Sequence, residues 1–199
     1  ESEQVYRNPV ICQQKEQKEI IYTEEQRTAI QTFSRDYEQG LRKTYLLYGV
    51  TGSGKTEVYM EMIAKVLSEG RQAIVLIPEI ALTYQTVMRF YTRFGERVSI
   101  LNSRMSQGER YDQMERVKKC DVDIMIGPRS ALFTPFEKLG LIVIDEEHEP
   151  TYKSEQVPRF HARETAIERA RMEGASVVLG SATPSLEAFY ACECGRYQM

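Results

Sequence analysis

The chain has 199 residues, with 26 Lys and Arg against 29 Asp and Glu, which gives room for one α/β domain with a proper core and not for a multidomain machine. Its formal net charge of −3 supplies no long-range attraction to nucleic acid, so a strand would have to be gripped in a local groove. No apolar stretch is long enough to span a membrane and no secretory signal opens the chain, so no membrane contact is expected and the cytoplasm is the expected location.

Residues 1–21 combine Val5-Tyr6-Arg7-Asn8-Pro9 with the polar run Gln13-Gln14-Lys15-Glu16-Gln17-Lys18-Glu19. They show no apolar periodicity and are expected to be a linker from an upstream domain, with the folded domain over residues 22–199. Thr23-Glu24-Glu25-Gln26 has the form of a capping box, and Ala29, Ile30, Phe33 and Tyr37 lie on one face of the helix that should run from it to Gly40. Gln26 has two readings. It closes the box, or, standing just ahead of a phosphate loop, it offers its amide donor and acceptor to N6 and N7 of an adenine; the local sequence favours neither.

Residues 44–48 form an apolar run of strand type and lead into Gly49-Val50-Thr51-Gly52-Ser53-Gly54-Lys55-Thr56, after which residues 57–67 have helical periodicity. Gly, four residues, then Gly-Lys-Thr between a strand and a helix is the pattern of a phosphate-binding loop. Glycines let the chain turn with positive φ and leave backbone N–H groups free to converge on phosphate oxygens at a helix start. Gly49, Thr51, Gly52, Ser53 and Gly54 would build the cradle, Lys55 would reach the β and γ phosphates of ATP, and Thr56 would hold Mg²⁺ through its hydroxyl.

Strands and helices alternate from there. Strands are expected over residues 73–77, 98–101, 123–126, 141–144 and 176–179, with helices over 82–94, after a Ser106/Glu109 cap, and over 161–173. Continuous apolar strands separated by helices imply a mostly parallel sheet covered on both faces, the three-layer sandwich of the P-loop NTPases (RecA-like α/β), whose ligands sit beyond the carboxyl ends of the strands. The most apolar strand, 141–144, ends in Asp145-Glu146-Glu147-His148. At that sheet edge Asp145 is suited to hold Mg²⁺ and Glu146 to orient and deprotonate an attacking water. The four cysteines, Cys12, Cys120, Cys192 and Cys194, lack the paired spacing of a zinc site and read as free thiols of a reducing compartment.

Asp145-Glu146-Glu147-His148 followed by Gly180-Ser181-Ala182-Thr183-Pro184 resembles helicase superfamily 2. With Ile77-Pro78-Glu79-Ile80-Ala81-Leu82-Thr83, Gly127-Pro128-Arg129-Ser130-Ala131-Leu132-Phe133, and Pro158-Arg159-Phe160-His161-Ala162-Arg163-Glu164 in this order, the chain from about Thr23 onward resembles the PriA family of replication-restart DNA helicases. That resemblance implies the first motor lobe of an ATP-dependent helicase moving 3′ to 5′ on single-stranded DNA. It also implies recognition of forked DNA, and partners among primosome and single-strand-binding proteins. By position, His148, Ser181 and Thr183 inherit the coupling of nucleotide state to the partner lobe. Residue 128 departs from the family, where threonine is common; proline removes a backbone donor there.

Two loops at the same edge are suited to a strand. Thr83, Arg129 and Ser130 offer hydroxyls and a guanidinium to a sugar-phosphate backbone. Tyr152, Lys153, Arg159, Phe160 and His161 mix aromatic and basic groups in the way that base stacking requires, and in the family this aromatic-rich loop links strand binding to ATP hydrolysis. The resemblance also implies a second lobe with its arginine finger, upstream fork-binding domains and a zinc-binding region, none within these 199 residues. Zinc is therefore expected only elsewhere in the parent protein, and the fragment should bind ATP with little or no turnover. A different superfamily 2 DNA translocase is disfavoured by the segment 152–164, and a non-catalytic nucleotide-binding module by the intact Lys55, Thr56, Asp145 and Glu146.

Overall fold

The computed structural model describes residues 20–155 and 157–199; most of the expected linker, Cys12 within it, lies outside the described residues. Six strands, β1 (Thr44–Tyr48), β2 (Gln72–Leu76), β3 (Val98–Ile100), β4 (Ile124–Gly127), β5 (Leu139–Ile144) and β6 (Ser176–Ser181), form one sheet. Their order is β1-β6-β5-β2-β4-β3 and every pairing is parallel. Six α-helices cover it: α1 (Glu24–Glu38), α2 (Lys55–Ser68), α3 (Tyr84–Phe94), α4 (Gln107–Lys118), α5 (Ala162–Glu173) and α6 (Leu186–Glu193).

The strands read as unbroken apolar runs because successive side chains enter two different cores. Ala73 and Val75 of β2 and Leu141 and Val143 of β5 pack with Phe33, Ile63 and Phe90 from α1, α2 and α3. Ile74, Leu76, Ile142 and Ile144 pack on the opposite face with Val117, Ala166 and Ala188 from α4, α5 and α6. Helix starts follow local chemistry. Both capping boxes form, Thr23 with Gln26 and Ser106 with Glu109, and Thr83 and Ser185 cap α3 and α6 with their hydroxyls.

Differences from the expected elements are small. Helix α2 begins at Lys55, two residues before its apolar periodicity does, and α3 begins at Tyr84 because Thr83 is its cap. Helix α6 and short 3₁₀ turns over Arg129–Phe133 and Pro150–Tyr152 had no clear apolar period to reveal them. The segment after α6 returns to the sheet, where the amide of Leu46 donates to the Gln198 carbonyl at 2.8 Å. All carboxyl ends of the strands open at one edge, which brings the loops after β1, β2, β4, β5 and β6 together.

Candidate nucleotide site and strand interface

The loop after β1 is made of backbone. Gly52 and Gly54 have φ of +80° and +78°, a region closed to most side chains. Gly54 caps α2, and a Cβ there would come within 2.5 Å of Gln26 Nε2. The amides of Lys55 and Thr56, in the first turn of α2, have no intrahelical acceptor, and the positive end of the helix lies at the loop that Gly54 ends. Lys55 Nζ donates to the carbonyls of Gly49 (2.8 Å) and Val50 (3.4 Å), so the ammonium lies across the mouth of the loop. Ser53 N–H closes the turn on the Val50 carbonyl at 3.1 Å, Thr51 is exposed at the tip, and Gly49 N–H ties the loop's root to the Ser181 carbonyl at 3.2 Å. This cradle of free amides beside a lysine fits a polyphosphate.

Gln26 does more than close its capping box. Its Oε1 accepts from Thr23 N–H (2.9 Å), and its Nε2 donates to the Ser53 carbonyl (2.6 Å), fastening the start of α1 to the loop.

The acidic turn after β5 is held from below. Asp145 accepts at 3.0 Å from the hydroxyl of Tyr59, a buried residue one turn into α2. Glycine at 180 permits this, since a Cβ on Gly180 would stand 1.5 Å from the Tyr59 hydroxyl. Burial pushes the Asp145 carboxyl above the usual aspartate range; the Tyr59 hydrogen bond opposes the shift and the Glu146 charge adds to it. The phenol of Tyr59 is itself pushed well up by burial and by Asp145. Glu146 has φ of +47°, a left-handed conformation uncommon for a non-glycine residue. Beyond it, His148 Nδ1 is 2.7 Å from Ser181 Oγ and 3.7 Å from Glu146 Oε2, and Ser181 Oγ accepts from Thr183 N–H at 3.0 Å. The acidic turn and the Ser-Ala-Thr segment are thus in direct contact. The Lys55 charge reaches Asp145, and the hydroxyl of Thr56, the residue after Lys55, and the Asp145 carboxylate are hard oxygen donors of the kind Mg²⁺ takes.

The expected strand contacts divide. Lys153, Arg159 and Ser130 are exposed and Phe160 is half-buried. Thr83 Oγ is used at the cap, accepting from Thr86 N–H at 3.2 Å. Arg129 donates to the carbonyls of Thr151 (2.9 Å) and Lys153 (2.8 Å), so in this structure it holds the aromatic-rich loop. His161 caps α5, its Nδ1 accepting from Arg163 N–H at 3.3 Å, and burial with the neighbouring Arg163 charge lowers its pKa. The placement of Tyr152 in the stacking set is corrected. Tyr152 is 1% exposed, and its hydroxyl donates to the carbonyls of Asp145 (2.7 Å) and Leu76 (3.1 Å). The ring belongs to the core beneath the loop, where an aromatic body with a satisfied hydroxyl is stable, and no face is left for a base.

Two participants escaped the sequence reading. Phe133 is 56% exposed and meets Phe160 edge to face at 5.2 Å, extending the aromatic surface onto the loop after β4. Glu147 is 2% exposed. Its carboxylate accepts from Arg163 (3.1 Å) and from the Ser185 amide (2.6 Å) and hydroxyl (3.1 Å), while the same Arg163 nitrogen donates to Ser185 Oγ at 2.6 Å. The pair Glu146-Glu147 offers no local sign of which carboxylate turns inward. The one available signal was a basic residue, Arg163, beside the alanines that form the buried face of α5.

A phosphate loop and a carboxylate pair sharing the carboxyl edge of an all-parallel sheet define a P-loop nucleotide-binding lobe of RecA-like form. Residues 23–190 match the DEAD/DEAH box helicase family, and the chain belongs to that family. A helicase motor domain, with the general use of ATP and Mg²⁺ that goes with it, follows. The chain is 48% identical over 198 residues to the replication restart protein PriA of Bacillus subtilis, covering 99% of this chain and 25% of that protein. It is 45% identical over 174 residues to PriA of Chlamydia pneumoniae, covering 87% and 23%. The resemblance read from the motifs is borne out, and the chain spans about a quarter of the length of these curated relatives. A solved structure of RecG bound to a three-way DNA junction shares the fold, with a TM-score of 0.67 at 21% identity over 90% of this chain and 24% of that one. Among the described residues no helix is long and apolar enough to cross a membrane.

Proposed function

We propose that this lobe is the ATP-binding first motor lobe of a cytoplasmic replication-restart helicase, which uses ATP to move 3′ to 5′ on single-stranded DNA and acts at forked DNA. The observation that carries the reading is the line of contacts from Tyr59, in the helix that leaves the phosphate loop, through Asp145 and Glu146 to His148 and Ser181, whose carbonyl accepts from the Gly49 amide of the loop, with the aromatic-rich loop attached to the same turn. The similarity to PriA over nearly the whole chain supports it.

In this reading the amides of Gly52, Gly54, Lys55 and Thr56, with Ser53 closing the turn among them, and the Lys55 ammonium bind the β and γ phosphates, and Gln26 positions the loop and meets the adenine. Mg²⁺, held by Thr56 and Asp145, would neutralise charge on the phosphates during transfer. Glu146 orients the attacking water and takes its proton. Ser130, Lys153 and Arg159, with Thr83 and Arg129 at the loop bases, hold the strand backbone, and Phe160 with Phe133 supplies a stacking surface worth about 1–3 kcal/mol per base. His148, Ser181 and Thr183 pass the state of the site to a second lobe. Residues 1–21 link this lobe to an upstream domain, and the parent protein carries the second lobe, a zinc-binding region and the surfaces for primosome and single-strand-binding proteins.

The test is binding and turnover of MgATP by the lobe alone and by the full-length protein, with and without single-stranded DNA. The lobe should bind MgATP and turn it over negligibly, because an arginine finger from the second lobe is worth roughly 10³–10⁵ in rate. The full-length protein should hydrolyse ATP in response to the strand. Rapid turnover by the lobe alone would overturn the two-lobe reading.

A further inference from the structure

The loop over residues 150–161 is fastened to the acidic turn at both ends. At its entry the Tyr152 hydroxyl is bonded to the Asp145 carbonyl, and Arg129 holds the next carbonyls, Thr151 and Lys153. Its stem is closed by Ser154 N–H on the Phe160 carbonyl at 2.8 Å. At its exit, two residues beyond His161, Arg163 reaches the Glu147 carboxylate. That carboxylate also grips Ser185, four residues past Ser181, so one buried group joins the acidic turn, the loop's exit and the segment after β6.

Between the two fastenings stands Glu146, in a left-handed backbone conformation. A non-glycine residue stays there only where its surroundings over-determine it. Here both neighbours are pinned. Asp145 donates its amide to the Leu76 carbonyl (2.9 Å), and Glu147 donates its amide to the Gly180 carbonyl (3.0 Å) while its side chain is held by Arg163 and Ser185. The backbone of Glu146 therefore cannot shift unless one of these fastenings does.

We propose that Arg163 and Glu147 are positioning residues that tie the strand-facing loop to Glu146, so that a strand on Lys153, Arg159 and Phe160 sets the alignment of the Glu146 carboxylate. The pair rests on the ATP-driven, strand-responsive activity proposed above. A buried ion pair is a poor source of stability, because desolvation offsets its attraction, but it has one preferred geometry and so transmits position.

The experiment uses the full-length protein with Arg163→Lys, which keeps the charge, and the double substitution Glu147→Gln with Arg163→Gln, which leaves no unpaired buried charge. ATP turnover is measured with and without oligo-dT, strand affinity by fluorescence anisotropy, and folding by thermal melting. The expected result is a strand-stimulated kcat lower by about tenfold, with unstimulated turnover, KM for ATP and strand affinity within about twofold of the unsubstituted protein. Unchanged stimulation in both variants overturns the proposal. So does a parallel fall of stimulated and unstimulated turnover that tracks a lower melting temperature, which is what a purely structural pair would give. If the unsubstituted protein shows no strand-stimulated turnover, the functional reading itself fails, an outcome distinct from either of these.

Discussion

The phosphate loop and the acidic turn face each other across one sheet edge and are built on opposite principles. The phosphate loop is exposed backbone shaped by glycines, with Lys55 as its one buried charged side chain. The acidic turn is fixed by side chains buried beneath it: Tyr59 under Asp145, Tyr152 under the turn's carbonyl, and Glu147 between Arg163 and Ser185. The first spends little of the fold's stability on its chemistry, so its damage should show in binding alone. The second is part of the core, so damage to the buried rings that support it should show first in stability.

The largest effect expected from this contrast is at Tyr152. Tyr152→Ala removes a fully buried ring and leaves two carbonyls without their shared donor, which should cost about 3–5 kcal/mol, or roughly 6–20 °C in melting temperature. Tyr152→Phe keeps the ring and should lose only about 1–3 kcal/mol. Melting followed by circular dichroism decides it. If Tyr152→Ala melts within a degree or two of the unsubstituted protein while strand binding collapses, the ring is a stacking residue after all and the turn is not built from the core.

Lys55→Ala should behave the other way. In the proposed role it removes a charge-assisted phosphate contact worth about 1.5–3 kcal/mol, so MgATP affinity should fall about 10- to 100-fold. The side chain bonds only carbonyls of its own loop, and the melting temperature should move by less than about 4 °C, the shift that about 1 kcal/mol produces in a domain of this size. Titration calorimetry beside a melting curve measures both. Unchanged affinity would place the nucleotide elsewhere.

The same contrast explains what was legible in the sequence. The phosphate loop could be read residue by residue, because glycine spacing, the lysine and the flanking periodicities are local, and the six strands announced themselves as apolar runs because both faces of the sheet are covered. The acidic turn was legible as far as Asp145, Glu146 and His148, whose order after an apolar strand is what suggests the proposed chemistry. Glu147 and Tyr152 were not, since what distinguishes them is burial. Nothing within a few residues of Tyr152 says that Leu76, more than seventy positions away, supplies its acceptor. Phe133 was missed for a related reason: it faces Phe160 only because β4 and β5 flank the same strand of the sheet.

The smallest expected effect tests the contrast at its sharpest point, Asp145. Its carboxyl is held above the ordinary aspartate pKa of 3.8, first by burial. In the pH window just above 3.8 the folded protein therefore keeps a proton that the unfolded chain has lost, and stability declines as pH rises through that window to the raised value. At neutral pH the nucleotide-free protein carries the full cost of a buried charge. Asp145→Asn removes that charge and can still accept from Tyr59, so it should melt higher than the unsubstituted protein at pH 7, with the advantage vanishing near pH 3.8. The same variant should bind MgATP more weakly, and in the unsubstituted protein Mg²⁺-dependent affinity should fade, as pH is lowered, at a higher pH than an ordinary aspartate would give. A lower melting temperature for Asp145→Asn at pH 7 would mean that the ionised carboxylate stabilises the turn, and that this edge of the sheet sacrifices no stability to keep an aspartate buried there.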